Sequence, residues 1–250
     1  MNEKICKNCS NAFNENFCNR CGQKSSVRRV DYDYVISEVA EGVFQLEKGW
    51  LYTIKELFIR PGKSIKKYLQ GERIQFAKPI PFILLTSALY VFIAYLFNIP
   101  TFTEDFVSGI KNYGDDSSRG IDKSTETILH WFTSNHAYAV LITLPFFSLG
   151  TYLAFKKCRY NYFEHLIINT FIAGQQMVIY ILFSPLILIN KYLDGMVFIV
   201  GTLFCVMAFY QLFEIKNAIN KTLRIILVYV LFIIIITILL LANFFIIKII

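Results

Sequence analysis

Five stretches of this 250-residue chain contain no charged side chain: 79–97, 137–155, 166–189, 196–213 and 225–247. About 20 apolar residues in a helix cross the hydrocarbon core of a bilayer. The shortest stretch, 196–213, has 18 residues and is the least secure span; the longest, 166–189, has 24. Lipid offers backbone groups no hydrogen-bond partner, so each segment must satisfy its own, which a helix does. The expected class is therefore an all-α polytopic membrane protein with about five transmembrane helices. Charged residues make up 17% of the chain, below the ~25% usual for a soluble domain. The net charge of +7 then reads as basic loops on one membrane face, not as a nucleic-acid footprint.

An odd number of spans allows a check on orientation. Residues 1–78 and the loops 156–165 and 214–224 hold 20 Lys and Arg; loop 98–136, loop 190–195 and the C-terminal end hold 5. Positive charge stays inside. This predicts a bacterial inner-membrane protein with its N-terminus in the cytoplasm and its C-terminus outside. Loop 98–136 carries six acids, Glu104, Asp105, Asp115, Asp116, Asp122 and Glu126, but their spacing matches no Ca²⁺ loop. Trp131 is expected at the outer interface.

Ahead of the first span lie two further regions: 1–30, a cysteine module with a basic linker, and 31–78, amphipathic and basic juxtamembrane helices. The first opens with Cys6-x-x-Cys9, then Cys18-x-x-Cys21. Two such pairs at short range read as one tetrathiolate site. Thiolates suit a soft tetrahedral cation, with zinc the first choice and iron the second. Four protein ligands leave no open position, so the expected role is structural. So few residues bury no core, and the metal supplies the folding free energy, roughly 10–16 kcal/mol in zinc-finger peptides. Gly22 suits a turn at positive φ, and Phe13 and Phe17 are expected to cover the site. Cytoplasmic placement disfavours disulfides. Cys158 and Cys205 stand alone and are taken as ordinary membrane-domain residues.

Over 31–59, Val35, Val39, Val43, Leu46, Trp50, Ile54 and Leu57 step by three or four along one helical face. Glu38, Glu41, Gln45 and Lys48 fall on the other, and Gly42 and Gly49 predict a kink or two helices. Pro61 and Gly62 end that stretch. A short helix from Lys63 to Gln70 follows, with Gly71 as its stop and Ile65, Tyr68 and Leu69 on one side. Arg60, Lys63, Lys66, Lys67, Arg73 and Lys78 form a basic segment beside the first span. They are candidates for binding an anionic inner leaflet.

Three groups of residues carry a resemblance. They are Cys6-x-x-Cys9 with Phe17-Cys18-x-x-Cys21-Gly22-Gln23, the run Pro61-Gly62-x-x-Ile65-x-x-Tyr68-Leu69-x-Gly71-x-Arg73 with Pro79 and Phe82, and Tyr162-x-Glu164-His165-Leu166. In this order they resemble a bacterial membrane family classed as domain of unknown function 3667. The resemblance implies a zinc ribbon followed by a multi-pass domain, and no known activity.

Polar residues in or beside the third span are Glu164, His165, Asn169, Gln175 and Gln176. They are candidates for a polar intramembrane site, such as a proton relay or a path. The plainer reading is a helix N-terminal carboxylate and amides bonded to neighbouring helices. No phosphate-gripping loop, His-Glu-x-x-His or nucleophile elbow is present, so no enzymatic activity is expected. The leading expectation is a non-enzymatic scaffold or regulatory protein that meets a protein partner through its cytoplasmic N-terminal module. The alternative is a transporter or channel component with a polar path along the third span. Nucleic acid is a disfavoured partner, since the ribbon lacks an aromatic stacking platform.

Overall fold

A computed structural model describes residues 3–40, 49–101, 103–104, 107–109, 123–190 and 193–249. The ribbon holds β1 (Lys4–Ile5) and β2 (Ala12–Phe13), paired antiparallel with Lys4 opposite Phe13. Helices follow: α1 (Tyr32–Ala40), α2 (Trp50–Ile59), α3 (Pro61–Gln70), α4 (Pro79–Phe97), α5 (Lys123–Ser134), α6 (His136–Ala154), α7 (Tyr162–Ile189), α8 (Leu193–Leu212) and α9 (Ala218–Ile249). Among the described residues, α4, α6, α7, α8 and α9 are long and apolar enough to cross a membrane. All five expected spans are present. The ends of α7 and α9 run past the uncharged stretches because polar residues continue both helices. At α7, Asn161 accepts from Glu164 N while the Glu164 carboxylate accepts from Asn161 N, a capping box that starts the helix before its apolar run.

The expected interruption of 31–59 is found as two helices, α1 and α2. Gly42, Val43, Gln45, Leu46 and Lys48, like the acids Asp105, Asp115, Asp116 and Asp122, lie outside the described residues. Pro61 does more than break a helix: it occupies the first turn of α3, where its missing N–H costs nothing. Gly71 ends α3 at φ 110°, a conformation that a side chain would strain.

The spans are staggered. Phe82, near the start of α4, meets Phe171 of α7 at a ring-centroid distance of 6.0 Å. Farther along, Tyr90 meets Tyr180 at 5.5 Å and His136 at 5.1 Å. Helix α6 therefore begins level with the middle of α4 and extends farther towards the ribbon. At that end Phe155 stacks on Phe213 at 3.8 Å and His165 on Phe213 at 5.5 Å. The α2–α3 hairpin fills the place left where α4 stops short. Leu57, Ile65, Tyr68, Leu69, Phe76 and Ala77 share one buried core with Phe82, Phe155, Phe171 and Phe209. The juxtamembrane segment is thus packed as part of the membrane bundle.

Gly62 shows how close that packing is. A Cβ there would lie 2.5 Å from Leu212 N and 2.6 Å from Ala208 O. Its own N–H donates to Gln211 Oε1 at 3.2 Å. Only a residue without a side chain lets α3 approach the last turn of α8 this closely.

Candidate metal centre and its docking

The two cysteine pairs form two copies of one turn. Cys6 N donates to Asn11 O (2.9 Å) and Ser10 N to Cys6 O (2.9 Å). In the second copy Cys18 N donates to Gln23 O (2.8 Å) and Gly22 N to Cys18 O (2.8 Å). Ser10 and Gly22, each directly after a Cys-x-x-Cys, both have positive φ, 57° and 77°. The sequence singles out Gly22; its counterpart Ser10 lacks the glycine signal. Asn11 Nδ2 donates to Asn19 Oδ1 at 2.8 Å and ties the two turns together.

These turns bring the four Sγ atoms within 4.8 Å of one another. Cys6–Cys21 is 3.5 Å and Cys9–Cys18 is 3.6 Å. Zinc–sulfur bonds of ~2.3 Å at tetrahedral angles place sulfurs about 3.8 Å apart, so the set fits a tetrahedral metal. All six cysteines of the chain are free thiols. Without a metal the sulfurs are unequal. Burial opposes ionisation of Cys18, but the backbone groups of Cys21 and Arg20 outweigh it and bring its pKa to about 6. Burial pushes Cys21 up to about 12. A cation that holds four thiolates removes this inequality. Phe13 is buried against Cys6 and Cys18, as expected. Phe17 is not a cover: it is 56% exposed, since the isolated bridge between Phe17 and Lys24 holds it outside the cluster.

The ribbon is clamped to the bundle. Gln23 is buried; its Nε2 donates to Gly71 O at 2.8 Å, and its Oε1 accepts from Arg73 N at 3.2 Å. The linker is held in turn. Arg29 grips Glu164 and also donates to Arg159 O at 2.7 Å. Asn161 Nδ2 donates to Val30 O at 2.9 Å, and Val30 has no exposed surface.

A second polar cluster lies beside this clamp. Tyr34 and Tyr68 hydroxyls, 2.6 Å apart, both donate to Glu38 Oε1. The Arg73 guanidinium lies over the Tyr34 ring at 4.4 Å and the Tyr68 ring at 5.2 Å, a cation–π arrangement. The sequence places Glu38 on an exposed polar face. It is buried instead, because Tyr68 of α3 joins Tyr34, one turn away on α1, as a partner, and a contact between helices is not revealed by helical periodicity. Burial raises the Glu38 pKa, with the two tyrosine hydrogen bonds opposing the shift.

The basic segment is largely spent inside the molecule. Arg60 donates to Glu56 through Nε (2.7 Å) and Nη2 (2.9 Å). Lys66 pairs with Glu214, and Lys67 with Glu72 at 3.4 Å. Arg73 donates to Tyr68 O and Arg28 O. Lys63 is exposed and Lys78 half-buried at the start of α4. The pairs Arg29–Glu164 and Lys66–Glu214 bring the ribbon's linker and α3 to the same end of the bundle as loops 156–165 and 214–224, the grouping that alternating spans require.

The five polar residues of the third span do not form one site: His165 and Asn169 meet at Thr151 Oγ1, and the other three turn to different partners. Glu164 serves the capping box and Arg29. His165 Nδ1 lies 3.2 Å from Thr151 Oγ1. Asn169 donates to Ser148 Oγ (3.0 Å) and Thr151 Oγ1 (2.9 Å), which joins α7 to α6. Gln175 Nε2 reaches Ile54 O of α2 at 3.4 Å, and Gln176 Nε2 reaches Gly201 O of α8 at 3.0 Å. These are interhelical ties.

No curated protein and no solved structure matches this chain. The cysteine ribbon and the Tyr162–Leu166 motif lie outside the region that a family model matches; the Pro61–Phe82 motif lies within it. That region is residues 47–91, covering α2, α3 and the first part of α4, and it matches the model of the family described as Protein of unknown function (DUF3667).

Proposed function

We propose that this chain is a non-enzymatic membrane protein whose zinc-loaded ribbon is a cytoplasmic interaction module built onto a five-helix membrane domain. The observation that carries this reading is the Gln23 clamp on Gly71, which fixes a closed four-thiol site to the end of α3. A tethered ribbon would recruit a partner and no more. A clamped one puts the partner's binding energy in mechanical contact with the bundle.

Zinc fits the four sulfur ligands and would supply folding energy to the ribbon, with Cys6, Cys9, Cys18 and Cys21 holding it. The Lys and Arg asymmetry supports a bacterial inner membrane with the ribbon in the cytoplasm. Lys63, on the exposed side of α3, remains available to anionic headgroups. The transporter alternative is not adopted, because Gln175 is fully buried and the Nε2 groups of both glutamines donate to backbone carbonyls of neighbouring helices.

Ile5, 73% exposed, and Phe17 offer apolar surface on the ribbon. The test is affinity capture from native membranes with the full chain and with its Ile5→Ser, Phe17→Ser double variant, which keeps all four cysteines. Loss of a specific co-purifying protein in the variant is the expected result. An unchanged set of partners in the variant and in a Cys18→Ser chain would overturn the reading.

A further inference from the structure

Helix α2 has an outward face that is exposed among the described residues. Thr53, Glu56 and Leu57 are buried. Leu51, Lys55, Phe58 and Ile59 are exposed, and their spacing puts them on one side of the helix. Leu51 is 82% exposed. Three large apolar side chains on one short helix are not expected to face water.

The depth of this face follows from α8. Its 20 residues rise about 30 Å, the thickness of a hydrocarbon core. The middle of α8 is marked by Gly201, whose carbonyl accepts from Gln176. The adjacent Gln175 donates to Ile54 O, so α2 lies within one glutamine side chain of the bundle's mid-level. The other limit is Gly62, seated against Ala208 and Leu212 in the last turn of α8. The stretch of α2 between these two levels, Ile54 to the turn at Gly62, therefore lies in the ribbon-side half of the spans' own height. Trp50 packs on Phe82 of α4 at 5.2 Å, which joins the α2 face to a helix whose Leu85, Leu89 and Phe92 are exposed apolar residues.

The polar groups of the hairpin are arranged as an apolar surrounding requires. Glu56 accepts two bonds from Arg60 and a third from Ser64 Oγ at 3.2 Å. Thr53 Oγ1 donates to Gly49 O and accepts from Ala77 N, both at 2.8 Å. A charge taken from water is tolerated when it is paired and hydrogen-bonded in this way. Lys55 can snorkel towards the headgroups. The lysines of α3 sit on a different helix from this apolar face.

We propose that α2 lies within the ribbon-side leaflet, with Leu51, Phe58 and Ile59 against lipid acyl chains. This goes beyond attraction of lysines to the membrane surface, and it holds whether or not the ribbon has a partner. It also gives the segment matched by the family model a physical role, as the element that completes the bundle beneath α4.

The test places photoreactive 4-benzoylphenylalanine at Leu51 or Phe58 of the full chain in phosphatidylethanolamine–phosphatidylglycerol vesicles. Leu89 of α4 serves as the lipid-facing reference and Ile5 of the ribbon as the water-facing one. Lipid adducts at 51 and 58 should match Leu89 in yield and exceed Ile5 about tenfold, because acyl chains are confined to the ~30 Å core. Lipid adducts at Leu89 but none at 51 and 58 would overturn the proposal. So would adducts there to a second copy of the chain or to another protein.

Discussion

Arg29 and Glu164, 135 positions apart, form a two-pronged ion pair, with Nε 2.8 Å from Oε1 and Nη2 2.6 Å from Oε2. The same carboxylate accepts from Asn161 N at 2.7 Å. One side chain therefore both starts α7 and anchors the ribbon's linker to it.

That pair should be measurable by a double-mutant cycle of Arg29→Met and Glu164→Gln, read from denaturant unfolding in mixed micelles. A coupling of about 1 kcal/mol is expected, at the upper end for exposed pairs because the fork is bidentate and Glu164 is buried. A coupling of zero would mean that the linker is not held there.

Gln23→Ala should release the ribbon without unfolding it, since the amide is not a metal ligand. It leaves Gly71 O and Arg73 N without their partner, a loss of about 1–3 kcal/mol for buried groups. Limited proteolysis within residues 22–30 should accelerate, while the metal content stays unchanged. Gly71→Ala should do the same by a steric route, because its Cβ would meet Lys7 Cδ at 2.8 Å at a backbone φ of 110°.

Glu38 gives a pH signature. Its pKa in the folded protein is raised above the ordinary 4.5, chiefly by burial. The folded chain then binds the proton more tightly than the unfolded chain, so stability is greatest below pH 4.5 and falls as pH rises through the raised value. Above that value the ionised carboxylate is held among Tyr34, Tyr68, Arg73 and Lys78 at a net cost. Glu38→Gln removes the titration. The difference in Tm between wild type and variant should therefore shift in the variant's favour as pH rises from 4.5 towards 7. A pH-independent difference would contradict the burial of an ionisable Glu38.

Gly62→Ala tests the closeness of α3 and α8. The clashing atoms are mostly backbone of α8 and cannot swing away, so overpacking should cost about 1–3 kcal/mol. Thermal melts of the detergent-solubilised protein should show the loss. An unchanged melt would mean that the two helices do not touch in this way.

Charge and hydropathy made the spans legible because lipid admits few alternatives: an uncharged run of this length has to be a helix. The cysteine spacing was equally legible because a metal imposes its own geometry. What could not be read was which surfaces meet. Nothing in Gln23 or Arg29 marks a docking residue, since each is a polar side chain whose partner lies 48 or 135 positions away. The exposed polar face expected for Glu38 fails for the same reason: Tyr68 belongs to another helix. Asn161-x-x-Glu164 was readable as a capping box, and it would have moved the start of α7 from 166 to its observed place. Pro61 was legible as a break, but its role as a helix start needed the following turn to be recognised as continuous with it.

The most direct test of the ribbon as a built-in part of the membrane protein is amide hydrogen exchange on the full chain in lipid nanodiscs, with its metal bound and after chelation. Metal removal should unfold residues 3–26 and, through the lost Gln23 clamp, also raise exchange at the C-terminal turn of α3 and at Gly71–Arg73, while α7 and α8 stay protected. An increase confined to the ribbon, with the end of α3 unchanged, would contradict the account.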